Sequence, residues 1–442
     1  MKAKLILFAL PLLLASCGTP TSSDNPVGEG SNPESGNVSS PSSGGKKSLS
    51  ILFHVDAQSA EGIAYKKRLD AFNNVYASQG LKVSGSFKAR TTGVSTYETE
   101  LTQMKTQGTL PDIITFDAPM CAKYAKEEIL VDITNKLTQE ELDPFLTTNT
   151  YQGKLYGLPI QESSAGFYYN KKLFAQAGID VSAYTAENPW TFAQFKDVCA
   201  KLAAKGITPA DMRLDATKDE TATYLLYPFV YAAGGEFLSQ DGWTAKGYLD
   251  SEASKKGFQF LKDCISSNYT SFAINPTDFF TGKVGMYLSS GWTIPDLDKK
   301  YKETFPDRDS WGLLPYPMDA QKASATGSWC FGVTNNGTKD KTNAVTLLKF
   351  LTSAESSAGI TGTTGMISAR KDVPGADGAP ETMLRTQLAT SGRARPESVG
   401  YSEFSATFGT IIASLKSKEV NDVVSSQATT LNNKLRDLKD LY

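Results

Sequence analysis

Histidine is nearly absent from this chain, and its scarcity limits the chemistry that the chain can perform. The 442 residues contain one histidine, His54, which excludes a metal site built from several histidines. Catalysis that depends on an imidazole could use that residue alone. The sequence also contains no Walker phosphate loop, no GxGxxG turn and no CxxC pair. We therefore expect no cofactor and no metal cluster, with a lone structural calcium held by loop carboxylates as the alternative.

An excess of charge of one sign is also lacking. The chain has 45 lysines and arginines against 47 aspartates and glutamates, a formal net charge of -2. Such a balance provides no basic field for a nucleic acid. Apolar residues make up 40%, and the 36 glycines raise this to about 48%, which is usual for globular proteins. A disordered chain and a multi-span membrane protein are thereby excluded, and the length suggests two or three domains.

Cysteine is sparse, and four of the five cysteines follow no disulfide-framework spacing. In an extracytoplasmic protein they could form up to two disulfides or remain isolated buried thiols, and the sequence leaves both open. These four are Cys121, Cys199, Cys264 and Cys330.

The fifth cysteine, Cys17, follows a pattern typical of secretion. Lys2 and Lys4 precede an apolar run over residues 5–14, about half of the ~20 residues that a spanning helix needs. The sequence Leu-Ala-Ser-Cys at 14–17 resembles a bacterial lipobox. It predicts a lipoprotein signal peptide over 1–16 and a Cys17 whose thiol carries diacylglycerol, with palmitate-type acyl chains as the anchor. An ordinary signal peptide with an unrelated cysteine is the alternative.

The segment after Cys17 has the composition of a tether. Of residues 18–47, 18 are Ser, Gly or Pro, and none is aromatic. Such a segment cannot bury enough apolar surface to fold. We therefore predict that residues 17–47 form a lipidated, flexible Ser/Gly/Pro tether outside a membrane.

The folded body begins near Ser48 with alternating strands and helices. The hydrophobic pattern predicts strands at 49–55, 81–87 and 111–117, and helices at 60–78 and 97–106. This order is typical of a parallel sheet with right-handed crossovers. Ligands of such sheets bind at the carboxyl ends of the strands, where Asp117 is placed.

Seven motifs follow one another along the folded body. They are PDIITFDAP at 111–119, KLYGLP at 154–159, YYNKKLFAQAGID at 168–180, PWTFAQFKDVCAKL at 189–202, YAAGGEFL at 231–238, FFTGKVGMYLSSGW at 279–292 and WGLLPYP at 311–317. In this order they resemble the carbohydrate-binding family of extracellular solute-binding proteins of ABC importers, which includes maltose-binding protein. The resemblance runs from about residue 48 to the C-terminus.

The resemblance implies an α/β, two-lobe periplasmic-binding-protein-like fold. Each lobe would be a mainly parallel sheet flanked by helices, with the ligand cleft between the lobes. The implied N-terminal lobe is 48–160 plus 325–392, and the implied C-terminal lobe is 161–324 plus 393–442. The crossings would fall near 157–162, 317–327 and 391–398, whose Gly, Pro and small polar residues suit hinges.

The family implies a function without chemistry. The chain would be a monomeric, lipid-anchored binding component on the extracytoplasmic face of the cell membrane. It would capture a sugar or oligosaccharide and deliver it to the permease subunits by hinge closure. A secreted glycoside hydrolase that uses Asp117 and Glu162 as acid and base is the alternative, since glycosidases need two carboxyls flanking one bond.

A sugar ring has apolar C–H faces and a rim of hydroxyls, so its site needs flat aromatic faces and oxygen acceptors. Trp292 follows Gly291 in a turn after a strand, where the family places a stacking aromatic; a core tryptophan is the alternative. The ligand-binding side chains that we predict are Trp292, Asp117, Glu162, Trp329, Tyr224 and Gln58.

The acidic and remaining residues have structural alternatives. Asp117 could cap the following helix, and Glu162 could be a solvated hinge carboxylate. Trp329 could be a second stacking platform or a residue of a lobe core. Tyr224 stands where maltose-binding protein has a ligand tyrosine, and Gln58 follows the first strand. We expect His54, on that strand, to be a structural residue.

Overall fold

The computed structural model describes residues 47–90, 96–217, 219–327 and 329–442. The predicted signal peptide, Cys17 and the tether up to residue 46 lie outside the described residues. Among the described residues, no helix has both the length and the apolar character needed to cross a membrane.

The strands in the described ranges follow the hydrophobic pattern closely at the N-terminus. In chain order they are β1 (Ser48–Phe53), β2 (Lys82–Phe87), β3 (Ile113–Asp117), β4 (Asn149–Tyr151), β5 (Lys154–Pro159), β6 (Gln161–Glu162), β7 (Ala165–Asn170), β8 (Thr208–Asp211), β9 (Val284–Ser290), β10 (Trp311–Leu314), β11 (Ser324–Ala325), β12 (Trp329–Val333), β13 (Ile367–Ser368) and β14 (Gly392–Arg393).

The helices begin at capping residues in several cases; Ser59, for example, accepts from the backbone N–H of Gly62. In chain order they are α1 (Ala60–Val75), α2 (Thr96–Gln107), α3 (Cys121–Lys126), α4 (Gln139–Leu142), α5 (Lys171–Gln176), α6 (Phe192–Ala203), α7 (Glu220–Ala232), α8 (Glu252–Ser266), α9 (Ile294–Lys299), α10 (Thr342–Leu351), α11 (Ala354–Thr364), α12 (Ala379–Ser391), α13 (Tyr401–Ser414) and α14 (Val420–Leu441).

The larger sheet contains the predicted N-terminal strands. Its order is β2-β1-β3-β12-β5-β4, and β1 is parallel to both of its neighbours, as the strand–helix alternation predicts. Helices α1 and α10 pack on it, and α11 packs on these two helices. Phe53 and Phe331 of the sheet and Phe72 of α1 are fully buried in one apolar cluster.

The smaller sheet has the order β10-β7-β9-β8. Helix α6 packs on β8, and α7, α8, α13 and α14 pack together beside it. The apolar cluster of this part includes Phe167, Trp190, Phe195 and Phe229, all fully buried. The two sheets with their helices form the two lobes of an α/β protein.

Both sheets are mixed, so the expectation of mainly parallel sheets was wrong. β12 runs antiparallel to β3 and β5, and β7 runs antiparallel to both β9 and β10. The reason is visible at β12, whose first residue, Trp329, lies opposite the last residue of β3, Asp117. The chain re-enters the large sheet at the carboxyl end of β3 and must therefore run in the opposite direction.

The segments predicted as crossings pair with other parts of the chain. β11 is parallel to β14, with Ser324 opposite Gly392, so two crossing segments lie side by side. β6 is antiparallel to β13, with Glu162 opposite Ile367. These two pairs lie on the connections between the sheets.

The lobe boundaries stay a prediction, and one helix packs differently from the predicted ranges. The strands of the large sheet fall within 48–160 and 325–392, and those of the small sheet within 161–324. Helix α12, however, packs against β10, where Leu384 joins an apolar cluster with Tyr168 and Trp311.

The four cysteines of the described residues are free thiols, and all are buried. Burial raises the pKa of Cys121 and of Cys264 to about 12, which keeps both thiols protonated. They therefore serve as small apolar core residues.

Candidate functional site

A cavity of about 260 Å³ lies where the two lobes meet, at the carboxyl end of β3. Its wall is built from strand ends, helix starts and crossing segments of both lobes. The lining residues are Glu61, Arg90, Asp117, Gln161, Ser163, Glu220, Thr221, Tyr224, Trp292, Gly327, Trp329, Thr364, Met366 and Arg395.

Four of the six predicted ligand residues line this cavity. They are distant in sequence and come from β3, α7, the turn after β9 and β12: Asp117, Tyr224, Trp292 and Trp329. The structure thus brings together the three predicted aromatic side chains and Asp117, one of the two predicted carboxylates.

Trp292 presents the most open aromatic face. It lies in a short turn directly after β9, as predicted, and is 40% exposed. Tyr224 lies beside it, with ring centroids 5.8 Å apart and planes tilted by 43°. An exposed indole beside a second ring offers a flat apolar surface to a ligand.

Two glycines set the position of that turn. A Cβ on Gly291 would lie 2.4 Å from the carbonyl oxygen of Gly365, so the two backbones are in direct contact. Gly365 ends α11 in the left-handed conformation, with a φ of 73°. The contact brings Trp292 next to Met366, the residue after Gly365, and both line the cavity.

Trp329 is held by a histidine. The imidazole of His54 stacks on the Trp329 ring at 3.2 Å with an interplanar angle of 3°. His54 Nδ1 is 3.0 Å from the hydroxyl of Thr115, and the Arg90 guanidinium lies over the same indole at 5.2 Å. Burial, and then the Arg90 charge, hold the pKa of His54 well below its ordinary value, so the stacked imidazole is neutral.

Asp117 is paired with a buried arginine. Arg395 donates from Nη1 and Nη2 to the two carboxylate oxygens at 2.8 and 2.6 Å, and Nη1 also donates to Glu220 Oε1 at 2.6 Å. The side chains of Arg395 and Asp117 are 4% and 6% exposed. Although burial disfavours the charged guanidinium, the attraction of Asp117 and Glu220 holds the pKa of Arg395 well above its ordinary value.

Glu220 has further donors on α13. Tyr401 donates to Oε1, and Ser405 donates to Oε2 at 2.6 Å. Because Asp117 ends β3 while Glu220 begins α7, Arg395 links the two lobes through charge-assisted hydrogen bonds.

A chain of hydroxyls lies on the other side of the cavity. Tyr224 donates to Ser163 Oγ at 2.7 Å, and Ser163 donates to the Gly327 carbonyl at 2.7 Å. Burial raises the pKa of Tyr224 to about 12, so its phenol remains a hydrogen-bond donor at neutral pH.

Glu61, in the first turn of α1, adds a carboxyl with an unusual proton affinity. Tyr65 donates to its Oε1 at 2.5 Å, and the same oxygen is 3.7 Å from His54 Nε2. Burial raises the pKa of Glu61 to about 7, and the hydrogen bond from Tyr65, which lowers the pKa, offsets this only in part.

The structure does not bring Glu162 or Gln58 to the cavity lining. Glu162 is buried and accepts from the hydroxyls of Thr147 at 3.0 Å and Thr326 at 3.2 Å. Burial raises the pKa of this carboxyl above its usual range. Gln58 is exposed in the turn before α1, where its backbone N–H donates to Asp56.

Sequence reasoning missed Arg395, Arg90, Glu61 and Met366. Arg395 lies within the predicted third crossing, where an arginine among small residues was a possible signal. Glu61 lies three residues after Gln58, in the first turn of α1, so the prediction fell in the turn just before the residue that lines the cavity. Arg90 and Met366 carried no motif that could have identified them.

Within the described ranges, no group of three or more His, Cys, Asp or Glu side chains could hold a metal ion. The polar groups of the cavity are carboxylates, which accept hydrogen bonds, guanidinium groups, which donate them, and hydroxyls and a phenol, which do both; together they suit a neutral, hydroxyl-rich ligand.

Comparisons with known proteins give the family and the fold of the chain. A family model described as bacterial extracellular solute-binding protein matches residues 69–383. A curated relative from Brucella abortus strain 2308, whose name describes it as a binding protein, is 31% identical over 243 residues, which cover 52% of this chain and 54% of the relative. The chain spans about half the length of the curated relatives it matches.

Solved structures of similar fold cover most of the chain. The cyclic alpha-maltosyl-1,6-maltose binding protein from Arthrobacter globiformis has a TM-score of 0.74 and 22% identity, covering 88% of this chain and 99% of that one. An ABC transporter solute-binding protein from Thermotoga lettingae, bound with alpha-D-tagatose, has a TM-score of 0.73 and 21% identity, covering 88% and 100%. At these identities the likeness establishes the two-lobe fold.

Proposed function

The chain belongs to the family of bacterial extracellular solute-binding proteins, and on this basis we propose that it captures a carbohydrate for an ABC importer. The observation that carries the proposal is the convergence of Trp292, Tyr224 and Trp329 with Asp117 in one cavity between the lobes. Aromatic faces and charged oxygen acceptors together match the apolar faces and hydroxyl rim of a sugar ring.

The charges of the cavity favour a neutral ligand. Arg395 and Arg90 are opposed by Asp117 and Glu220, and Glu61 is partly protonated at neutral pH. An anionic or cationic ligand would therefore find no net charge of opposite sign. A sugar hydroxyl can donate to a carboxylate and accept from a guanidinium at the same time.

The lobe arrangement supports delivery by closure. Ligand groups come from both lobes, so a ligand that contacts both would favour the closed arrangement over an open one. A micromolar ligand provides about 8 kcal/mol in total, of which part offsets the cost of closing. We propose that the closed, monomeric form is the one that the permease subunits recognise.

We also propose that the protein is anchored to the extracytoplasmic face of the cell membrane through lipid on Cys17, followed by the tether of residues 18–47. Acyl chains on one cysteine provide stable attachment, since each buried CH₂ contributes about 0.8 kcal/mol. Expression of the full chain in a bacterium tests this: the protein should fractionate with membranes, and Cys17→Ser should release it. Equal membrane association of both forms would reject lipidation at Cys17.

The hydrolase alternative gains no support from the site. Asp117 is bonded through both oxygens to Arg395, while Glu162 is bonded to two threonines and lies outside the cavity lining. The two carboxyls therefore do not flank one cavity, as an acid and base for one glycosidic bond would have to.

The proposal is tested by calorimetric titration of the purified full chain with a glycan panel, followed by chromatography of the recovered sugar. We expect saturable binding of at least one sugar, which is recovered intact. Turnover of the bound sugar would contradict the binding function and support the hydrolase alternative. A panel without any bound sugar would contradict the carbohydrate assignment.

A further inference from the structure

Three two-residue strands, β6, β11 and β14, lie on the connections between the two sheets, and each leads into the cavity wall. Ser163 follows β6, Gly327 comes two residues after β11, and Arg395 comes two residues after β14; all three line the cavity. We call the three segments the first, second and third connectors: 161–163, 324–327 and 392–395. The cavity wall therefore moves whenever a connector moves.

Helix α7 holds the second and third connectors together through one side chain. The hydroxyl of Tyr227 accepts from the backbone N–H of Thr326 at 2.8 Å and donates to the carbonyl of Arg393. Tyr227 is fully buried and does not line the cavity. Burial holds the pKa of Tyr227 well above its ordinary value, so the hydroxyl keeps the proton that it donates. A single hydroxyl thus fixes the spacing of two connectors just before they enter the cavity wall.

The same helix reaches the first connector one turn earlier. Tyr224 donates to Ser163, and Ser163 donates to the carbonyl of Gly327, both at 2.7 Å. The hydroxyl of Thr326 donates to Glu162 at 3.2 Å, which joins the second connector to the first. The three connectors and α7 therefore form one hydrogen-bonded unit, and the Tyr224 side chain of this unit lines the cavity.

This unit lies between the cavity and the lobes that would close over it. A hinge changes its backbone angles when the lobes move. If the connectors could slide past one another, Gly327 and Arg395 would take several positions in the ligand-free protein. A ligand would then bind only the fraction of molecules with the competent arrangement, and its apparent affinity would fall by that fraction. Hydrogen bonds that hold the connectors in one arrangement remove this loss before the ligand arrives.

We propose that Tyr227 and Thr326 are positioning residues for ligand capture: without lining the cavity, they hold the three connectors in the arrangement that places the cavity wall for binding. This inference rests on the proposed capture of a sugar, and it adds determinants of affinity behind the cavity. A single intramolecular hydrogen bond makes a modest net contribution, so removal of either hydroxyl should raise the Kd about three- to tenfold.

Three variants test the two hydroxyls. Tyr227→Phe keeps the ring in the core, and Thr326→Val keeps the backbone N–H that donates to Tyr227 while it removes the bond to Glu162. Tyr231→Phe, one turn further along α7, is the matched control, because the ring of Tyr231 is what meets the third connector: the Arg393 guanidinium lies over it at 4.8 Å. If Tyr227→Phe does not fold, Thr326→Val decides the inference alone.

Two measurements on the full chain separate positioning from stability. Calorimetry gives the Kd of the tightest binder among glucose, galactose, mannose, xylose and their linear di- and trisaccharides. Double electron–electron resonance gives the range of distances between nitroxides on Asp70→Cys in α1 and Lys201→Cys in α6, which are exposed positions of the two lobes. Cys17→Ser accompanies these labels, and the four cysteines of the described residues are buried.

We expect Tyr227→Phe and Thr326→Val to have a higher Kd and, without sugar, a broader range of interlobe distances, whereas Tyr231→Phe should match the unmodified chain. If both test variants bind and distribute as Tyr231→Phe does, the positioning role is overturned while the carbohydrate function stands. A lower Tm with unchanged Kd and distances also overturns it, because the hydroxyls would then only stabilise the fold.

The ligand-free distances keep the two proposals distinguishable. If no sugar of the panel binds the unmodified chain, the carbohydrate function fails, and the width of the distance distribution alone decides the inference. Equal widths in the three variants would then overturn it, and broader widths in Tyr227→Phe and Thr326→Val alone would support it.

Discussion

Arg395 and Asp117 form a two-pronged ion pair across 278 positions of sequence, with both side chains almost fully buried. The pair joins a crossing segment to the end of β3, and Glu220 extends it to α7. Desolvation of these charges is costly, so they are stable only as a set.

Arg395→Met should therefore destabilise the protein by about 3–5 kcal/mol, because Asp117 and Glu220 would remain buried without their cation. Chemical denaturation measures the loss. The matched control is Arg393→Met, since Arg393 pairs with Glu236 at 2.9 Å with both side chains more than 40% exposed; its cost should be below about 1 kcal/mol. Equal losses in the two variants would contradict a structural role for the Arg395 set.

Trp292→Ala should weaken sugar binding by about 2 kcal/mol, or roughly 30-fold, because it removes the open aromatic face of the cavity. Thermal unfolding of the ligand-free protein should hardly change, since the indole is 40% exposed. Trp243→Ala, in a turn outside the cavity, serves as the control and should leave affinity unaltered. A large loss of stability with unchanged affinity would make Trp292 a core residue instead.

Glu61→Gln tests whether the Glu61 carboxyl of the cavity binds a proton more tightly in the folded protein than in the unfolded chain. The pKa of Glu61 is about 7 in the folded protein against 4.5 in an unfolded chain, so the folded state binds more protons between these values. The contribution of Glu61 to the free energy of unfolding thus falls as pH rises through that window. Glutamine does not titrate. The Tm of Glu61→Gln minus the Tm of the unmodified protein should therefore be larger at pH 8 than at pH 5.

Glu252→Gln, which removes a carboxyl with a 93% exposed side chain, provides the reference for that comparison. If the Tm difference of Glu61→Gln were the same at both pH values, the raised pKa of Glu61 would be refuted.

Gly291→Ala should destabilise the protein by about 1–3 kcal/mol, because the new Cβ meets the Gly365 carbonyl at 2.4 Å. It should also weaken sugar binding, since Trp292 and Met366 are placed by this contact. Gly362→Ala in α11 is the control: it has open space, and replacing a helical glycine should stabilise by about 0.5–1 kcal/mol. Circular-dichroism melts and titrations of the two variants decide the matter; a Gly291→Ala protein as stable as Gly362→Ala would contradict the close approach.

Local hydrophobic patterns were sufficient to predict the first strands and helices of the first lobe. The predicted strand over 111–117 and helix over 97–106 correspond to β3 and α2 within two residues, because their alternation and periodicity follow from burial on one lobe's sheet. Strand direction was not predictable in the same way. β12 runs against β3 because of where the chain returns, which is a property of the whole path.

The site was predicted in part for a related reason. Trp292 and Asp117 follow apolar strands, so their placement at strand ends could be inferred from the sequence. Glu162 and Arg395 both lie on predicted crossings, yet one is bonded to threonines away from the cavity and the other lines it. Whether a side chain on a crossing segment lines the cavity depends on which face of the segment turns inward. Two-residue strands such as β6 and β14 are too short to have a hydrophobic periodicity from which that face could be predicted.

The stacking of His54 on Trp329 determines which tryptophan should report ligand binding through its fluorescence. An indole whose face is covered by a ring 3.2 Å away is shielded from solvent on that side before any ligand arrives. Trp292 has no such cover, so we expect it to provide most of the change in intrinsic fluorescence when the cavity fills. The chain would then contain its own optical reporter of occupancy in Trp292.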